Sequence, residues 1–173
     1  MITLSQKVTD FTNADVPMGK RAAQPTRPVA PYVLRMAIAN GDLQIYFTPG
    51  PQSANLPPTS VPIKVLNDCI ISLEIDKALN CTFVQDNGVG AATLSTQAVA
   101  NNYWNLYCSP DAKSLHFEAD YSDIGALDNP DPFNLYVVVA QPPLASGVAS
   151  RALPIKIDPD IQNPGDPDTL GGH

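Results

Sequence analysis

The stretch VLRMAIANGDLQIYF, residues 33–47, decides how the chain is to be read. Two strand-like runs flank Asn40-Gly41, and Asn-Gly readily takes the positive backbone angles that match the twist of paired strands. A β-hairpin is expected here. Downstream, short apolar runs alternate with turn residues. The segment PGPQSANLPPTS (49–60) reads as a loop, and VPIKVLNDCIISLEI (61–75) as one long strand or two joined near Asn67-Asp68. Four further runs, NCTFVQD (80–86), WNLYC (104–108), SLHFEAD (114–120) and FNLYVVVAQ (133–141), read as strands, and RALPIKI (151–157) closes the set. Only AATLSTQAVANNYW (91–104) has helical composition, being alanine-rich and free of proline, and its Thr, Val and paired Asn fit a loop equally well.

Proline explains why helix is scarce. Eighteen of 173 residues are proline, and each lacks an N–H and clashes with the preceding helical turn. Apolar residues make up 44% of the chain and charged residues 16%, enough to bury one core and too few charges for a disordered chain. The expected architecture is an all-β, antiparallel β-sandwich of immunoglobulin-like type with seven or eight strands. It occupies residues 32–157, after an extended Pro-containing arm (1–31) and before an acidic Pro/Gly-rich tail (158–173). The Cys-Trp-Cys order of a true immunoglobulin domain is missing, because Trp104 follows both Cys69 and Cys81.

The net charge of −7 argues against binding nucleic acid by neutralising its phosphates. Cations are concentrated near the start, where Lys7, Lys20, Arg21, Arg27 and Arg35 outnumber Asp10 and Asp15. Three cysteines, Cys69, Cys81 and Cys108, form no CxxC pair, so neither a disulfide scaffold nor a zinc site is indicated, although one disulfide remains open. The first twenty residues lack the basic start and apolar run of a signal peptide, and no segment has the length of a membrane span. A cytoplasmic or virion-associated location is expected.

Candidate chemistry is sparse. Alternation puts His116 on one strand face with Ser114 and Glu118, opposite Leu115 and Phe117. Side chains two apart on a strand stand roughly 6–7 Å apart, too far for a nucleophile and base to share a hydrogen bond. His116 is therefore read as a solvent-facing strand residue, and His173 as a chain end. Neither GxxxxGK[ST] nor GxGxxG is present, and NGVGAA (87–92) is read as a turn. Acidic side chains gather in EADYSDIGALDNPD (118–131), making Asp120, Asp123, Asp128 and Asp131 candidate calcium ligands, although no DxDxDG pattern is present. Tyr103, Trp104, Tyr107 and Tyr121 offer aromatic faces for a sugar or small ligand, or else belong to the core.

The segment IKIDPDIQNPGDP (155–167) resembles the closing strand and tail of the bacterial DP-EP family, uncharacterised proteins with an immunoglobulin-like β-sandwich. Asp158-Pro159 matches the family's Asp-Pro, while Asn163-Pro164 stands where its Glu-Pro would be. That resemblance implies a fold and no catalytic residues. The expected role is accordingly a noncatalytic structural or interaction protein, with no cofactor, a homo-oligomer or part of a larger assembly formed through sheet edges and the N-terminal arm. The alternative is a small-ligand or carbohydrate-binding module stabilised by calcium.

Overall fold

Residues 16–39, 42–50, 63–85, 90–94, 101–122, 131–140, 152–157 and 160–163 are described by the computed structural model. The first six strands are β1 (Val16–Pro17), β2 (Val29–Ala39), β3 (Asp42–Pro49), β4 (Ile63–Lys64), β5 (Cys69–Ile75) and β6 (Cys81–Phe83). The remainder are β7 (Ala92–Leu94), β8 (Tyr103–Cys108), β9 (Ser114–Ala119), β10 (Asp131–Ala140), β11 (Ala152–Ile157) and β12 (Asp160–Gln162). The result is the expected all-β sandwich. Its strands are more numerous than the sequence runs because several have only two or three residues.

The hairpin is formed by β2 and β3, with Ala39 opposite Asp42; the turn residues Asn40 and Gly41 lie outside the described residues. One sheet runs β3-β2-β5-β9-β8. In the other, the long strand β10 takes short partners in succession, β7 and then β6 on one edge, β12 and then β11 on the other. Two pairings, β2 with β5 and β4 with β12, are parallel. Of the two readings of the segment 61–75, the structure has two strands, with a bend at residues 66–68 between β4 and β5. Residues 92–94, inside the helical candidate, are strand instead. Ala92 and Leu94 are fully buried there, so sheet packing prevails over alanine's helix propensity.

Period-two alternation builds the core. On β9, Leu115 and Phe117 are buried and meet the opposite sheet, where Phe117 and Phe133 pack with ring centroids 5.8 Å apart. Tyr103 packs edge-on against Phe117 at 6.1 Å. Such aromatic pairs add roughly 0.5–1.5 kcal/mol to what their burial contributes.

From Val16 onward, the segment read as an arm belongs to the body. Val16 pairs with Leu94 in the first-described edge of the β10 sheet. Three residues later, Gly19 bridges to Trp104 at the edge of the other sheet, where its carbonyl accepts a hydrogen bond from the Asn105 N–H at 2.8 Å. One short segment thus closes a side of the sandwich. At the other end, β12 pairs with β10 and β4, so the start of the acidic tail is also sheet.

Candidate functional site

The outer face of the β3-β2-β5-β9-β8 sheet carries Glu74, Trp104, Tyr107, His116 and Glu118. At one end it is sealed by residues 18–27. Glu118 points outward on β9, yet is only 5% exposed, because this segment lies over it. Its carboxylate accepts hydrogen bonds from Arg21 Nε and Nη2, from the Gln24 N–H and from Asn105 Nδ2, all at 3.0–3.2 Å. Arg21 also grips Asp120 with two nitrogens at 2.7 Å each, and its guanidinium lies 5.1 Å from the Trp104 ring centroid. Arg27 adds a 2.6 Å contact to Asp120. The Arg21 hydrogen bonds, helped by Arg27, hold the Asp120 carboxyl down at about 2. Burial pushes Glu118 up, but Asn105, Gln24 and Arg21 together leave it below its ordinary value. Every oxygen of both carboxylates is engaged, so this cluster fastens the N-terminal segment to the sheet.

The other end of the same face is open. Here β5 runs into the turn Asp76–Asn80, and the Ser109–Lys113 turn leads into β9. Glu74, Ile75, Lys77, Asp111, Lys113 and Ser114 line a groove of about 330 Å³. A contiguous recess of about 210 Å³ shares Glu74, Ile75 and Lys77 with it and adds Val33, Arg35 and Asp76. The walls are built from hydrogen-bonded turns. Asp76 accepts from the Ala78 N–H and from Arg35 at 2.8 Å. Asp111 accepts from the Ser109 hydroxyl and the Lys113 N–H, which hold its carboxyl below the ordinary range. Ala112, between them, has φ 55, a left-handed angle that costs an L-residue roughly 1–2 kcal/mol.

Formal charge in this groove balances, Lys77 and Lys113 against Glu74 and Asp111, but the cations differ in how they are held. Arg35 is matched by Asp76. Lys113 donates to two backbone carbonyls, Leu79 at 3.1 Å and Cys81 at 2.6 Å, which hold its ammonium within reach of the Asp111 charge. Lys77 is exposed and takes part in no hydrogen bond or ion pair that the structure records among the described residues. Glu74 faces Ser114 across the β5–β9 pair. Two ammonium groups, one hydroxyl and two carboxylates, Glu74 and the turn-bound Asp111, therefore meet at one sheet end. The ammonium groups and the hydroxyl are donors of the kind that hold phosphate oxygens, and the exposed Glu74 carboxylate beside them can accept a proton.

The residues singled out from sequence distribute unevenly. Of the calcium candidates, Asp120 is held by two arginines and Asp131 accepts the Tyr103 hydroxyl at 2.6 Å; Asp123 and Asp128 lie outside the described residues. Among the described residues, no three His, Cys, Asp or Glu converge to hold a metal ion. His116 is where alternation placed it, stacked on Tyr107. Tyr103 is fully buried, whereas Tyr107 and Tyr121 are exposed. All three cysteines are free thiols, raised by burial in each case, Cys69 to about 11. No helix among the described residues is long and apolar enough to cross a membrane. Sequence reasoning passed over Lys77, Lys113 and Glu74. Only their nearness to turns marked them, because the groove joins residues nearly forty positions apart.

A family model described as "Predicted novel nucleotide synthetase" matches residues 11–166. A search of curated proteins finds no match. The family match overturns the resemblance to the DP-EP proteins, which rested on residues 155–167 alone. Within that segment Asn163 has a packing role, its amide bridging the Ser122 N–H and the Asp120 carbonyl. The same match corrects the expectation of a noncatalytic structural or interaction protein, and of a chain that is not an enzyme, because the family's description is that of a synthetase. Physically, the earlier reading sought an adjacent nucleophile and base or a glycine-rich phosphate loop. Phosphoryl chemistry depends chiefly on positioned charge, which separate strands can supply without a local motif. The N-terminal segment, expected to reach a neighbouring subunit, is from Val16 onward packed on its own chain.

Proposed function

The chain belongs to the family described as predicted novel nucleotide synthetases, and on that premise we propose that it is an enzyme acting on a nucleotide whose phosphates lie in the groove beside Lys77 and Lys113. One observation carries the placement: Lys77 stands exposed and, among the described residues, unpaired at a groove whose other lysine is held in place by two carbonyls. An anion there meets one preorganised cation and one free to close on it. Preorganised charge stabilises the charge that develops on phosphate oxygens during transfer. The Ser114 hydroxyl supplies a further donor, and Glu74, opposite it, is the proton acceptor for an attacking group.

Calorimetric titration with ATP tests the placement. Wild type is expected to bind, and Lys77→Ala to bind roughly 10-fold more weakly, as loss of one charge-assisted contact implies. Equal affinity for the two proteins would move the phosphate site elsewhere. For the chemistry, product formation from nucleoside triphosphate, followed by phosphorus NMR, is expected to fall in Glu74→Gln while ATP affinity is retained.

A further inference from the structure

The same sheet face carries a built irregularity beside the groove. On β8, the three-residue step from Trp104 to Tyr107 spans the two-residue step from Glu118 to His116 on β9. The extra residue is absorbed at Asn105, whose φ of 58 lies in the left-handed region. Asparagine tolerates that angle better than most residues, and such bulges re-aim the side chains that follow them. Unbroken alternation would give Trp104 and Leu106 the same face. Instead Tyr107 shares the outer face with Trp104, and Leu106 packs against the core.

Tyr107 is consequently 55% exposed although strand-borne. Its ring lies nearly parallel to that of His116, 20° between planes and 6.2 Å between centroids. Two residues along β9 on the same face is Ser114, a lining residue of the groove. The aromatic pair and the lysine groove are therefore consecutive parts of one surface.

We propose that Tyr107 and His116 form the platform on which the base of the nucleotide stacks, its phosphates running along β9 toward Ser114, Lys113 and Lys77. This deepens the reading of the groove as a phosphate site and rests on it. An exposed aromatic on a sheet face is the means by which proteins hold bases with little regard to identity, because every base has a π-face. Purines, with the larger face, bind better than pyrimidines.

The test is calorimetric titration of the full chain with three probes: ATP, adenosine and inorganic tripolyphosphate. Tyr107→Ala is expected to weaken ATP roughly 10-fold, the effect of losing one base stack, and to leave tripolyphosphate unchanged. Tyr107→Phe, which keeps the ring, is expected to bind ATP like wild type. Lys77→Ala is expected to weaken ATP and tripolyphosphate together. If Tyr107→Ala binds ATP as wild type does while tripolyphosphate still depends on Lys77, the platform is refuted and the phosphate groove stands. If tripolyphosphate fails to bind while adenosine binds in a Tyr107-dependent way, the groove reading fails and the platform stands. Because Tyr107 is exposed, an unchanged urea midpoint separates lost stacking from lost folding.

Discussion

At the scale of single residues, the half-buried Arg21 is a main fastening of the N-terminal segment to the sheet. It satisfies two carboxylates and covers an indole. Arg21→Ala leaves the nearly buried Glu118 short of its charged partner and is expected to cost about 2 kcal/mol in urea unfolding. Arg21→Lys is expected to recover little, since one ammonium cannot reproduce the forked contact. Asp120 gives this clasp its pH dependence. Its folded value, about 2, lies below the ordinary 3.8, so its contribution is present above pH 4 and is lost as pH falls from there toward 2. The difference in unfolding free energy between wild type and Asp120→Asn is expected to stay constant above pH 5 and shrink below pH 4. A difference that grows on acidification contradicts the assignment. Thr93 is the opposite case, a fully buried hydroxyl with no hydrogen-bond partner among the described residues. Thr93→Val is expected to be neutral or to stabilise by up to ~1 kcal/mol, read from the same unfolding curves.

Between elements, contact distance decides what a position tolerates. Gly19 passes so close to Trp104 that an added Cβ would lie 2.8 Å from the indole ring. Gly19→Ala must displace the ring or the strand edge, and is expected to cost roughly 1–3 kcal/mol. It should also shift the emission of Trp104, the single tryptophan; unchanged emission with unchanged stability would mean that the N-terminal segment is not docked as described. Nothing in the sequence near Gly19 announced this approach, because the glycine and the indole are 85 positions apart. The hairpin, by contrast, was legible, since Asn40-Gly41 and its flanking runs carry their own geometry. The split of residues 61–75 was legible as one of two readings, through Asn67-Asp68. The strand at Ala92–Leu94 was not, because alanine and leucine enter a sheet there only through the distant strands β1 and β10. The bulge at Asn105 was equally hidden, as a left-handed asparagine looks like any other until its neighbours are known.

At the level of the whole molecule, proline content and alternating runs were enough for an all-β sandwich, with Phe117 and Phe133 joining its layers. The groove was not legible, since it is assembled by register: Glu74 meets Ser114 only because β5 pairs with β9. Function was misread for that reason. The chain has no local signature of catalysis, and the charges proposed to bind phosphate belong to two turns far apart in sequence. Comparing tripolyphosphate affinity in wild type and Lys77→Ala tests the central claim most directly. Wild type is predicted to bind tripolyphosphate and the variant roughly 10-fold more weakly; equal affinity, or no binding by wild type, would contradict the account.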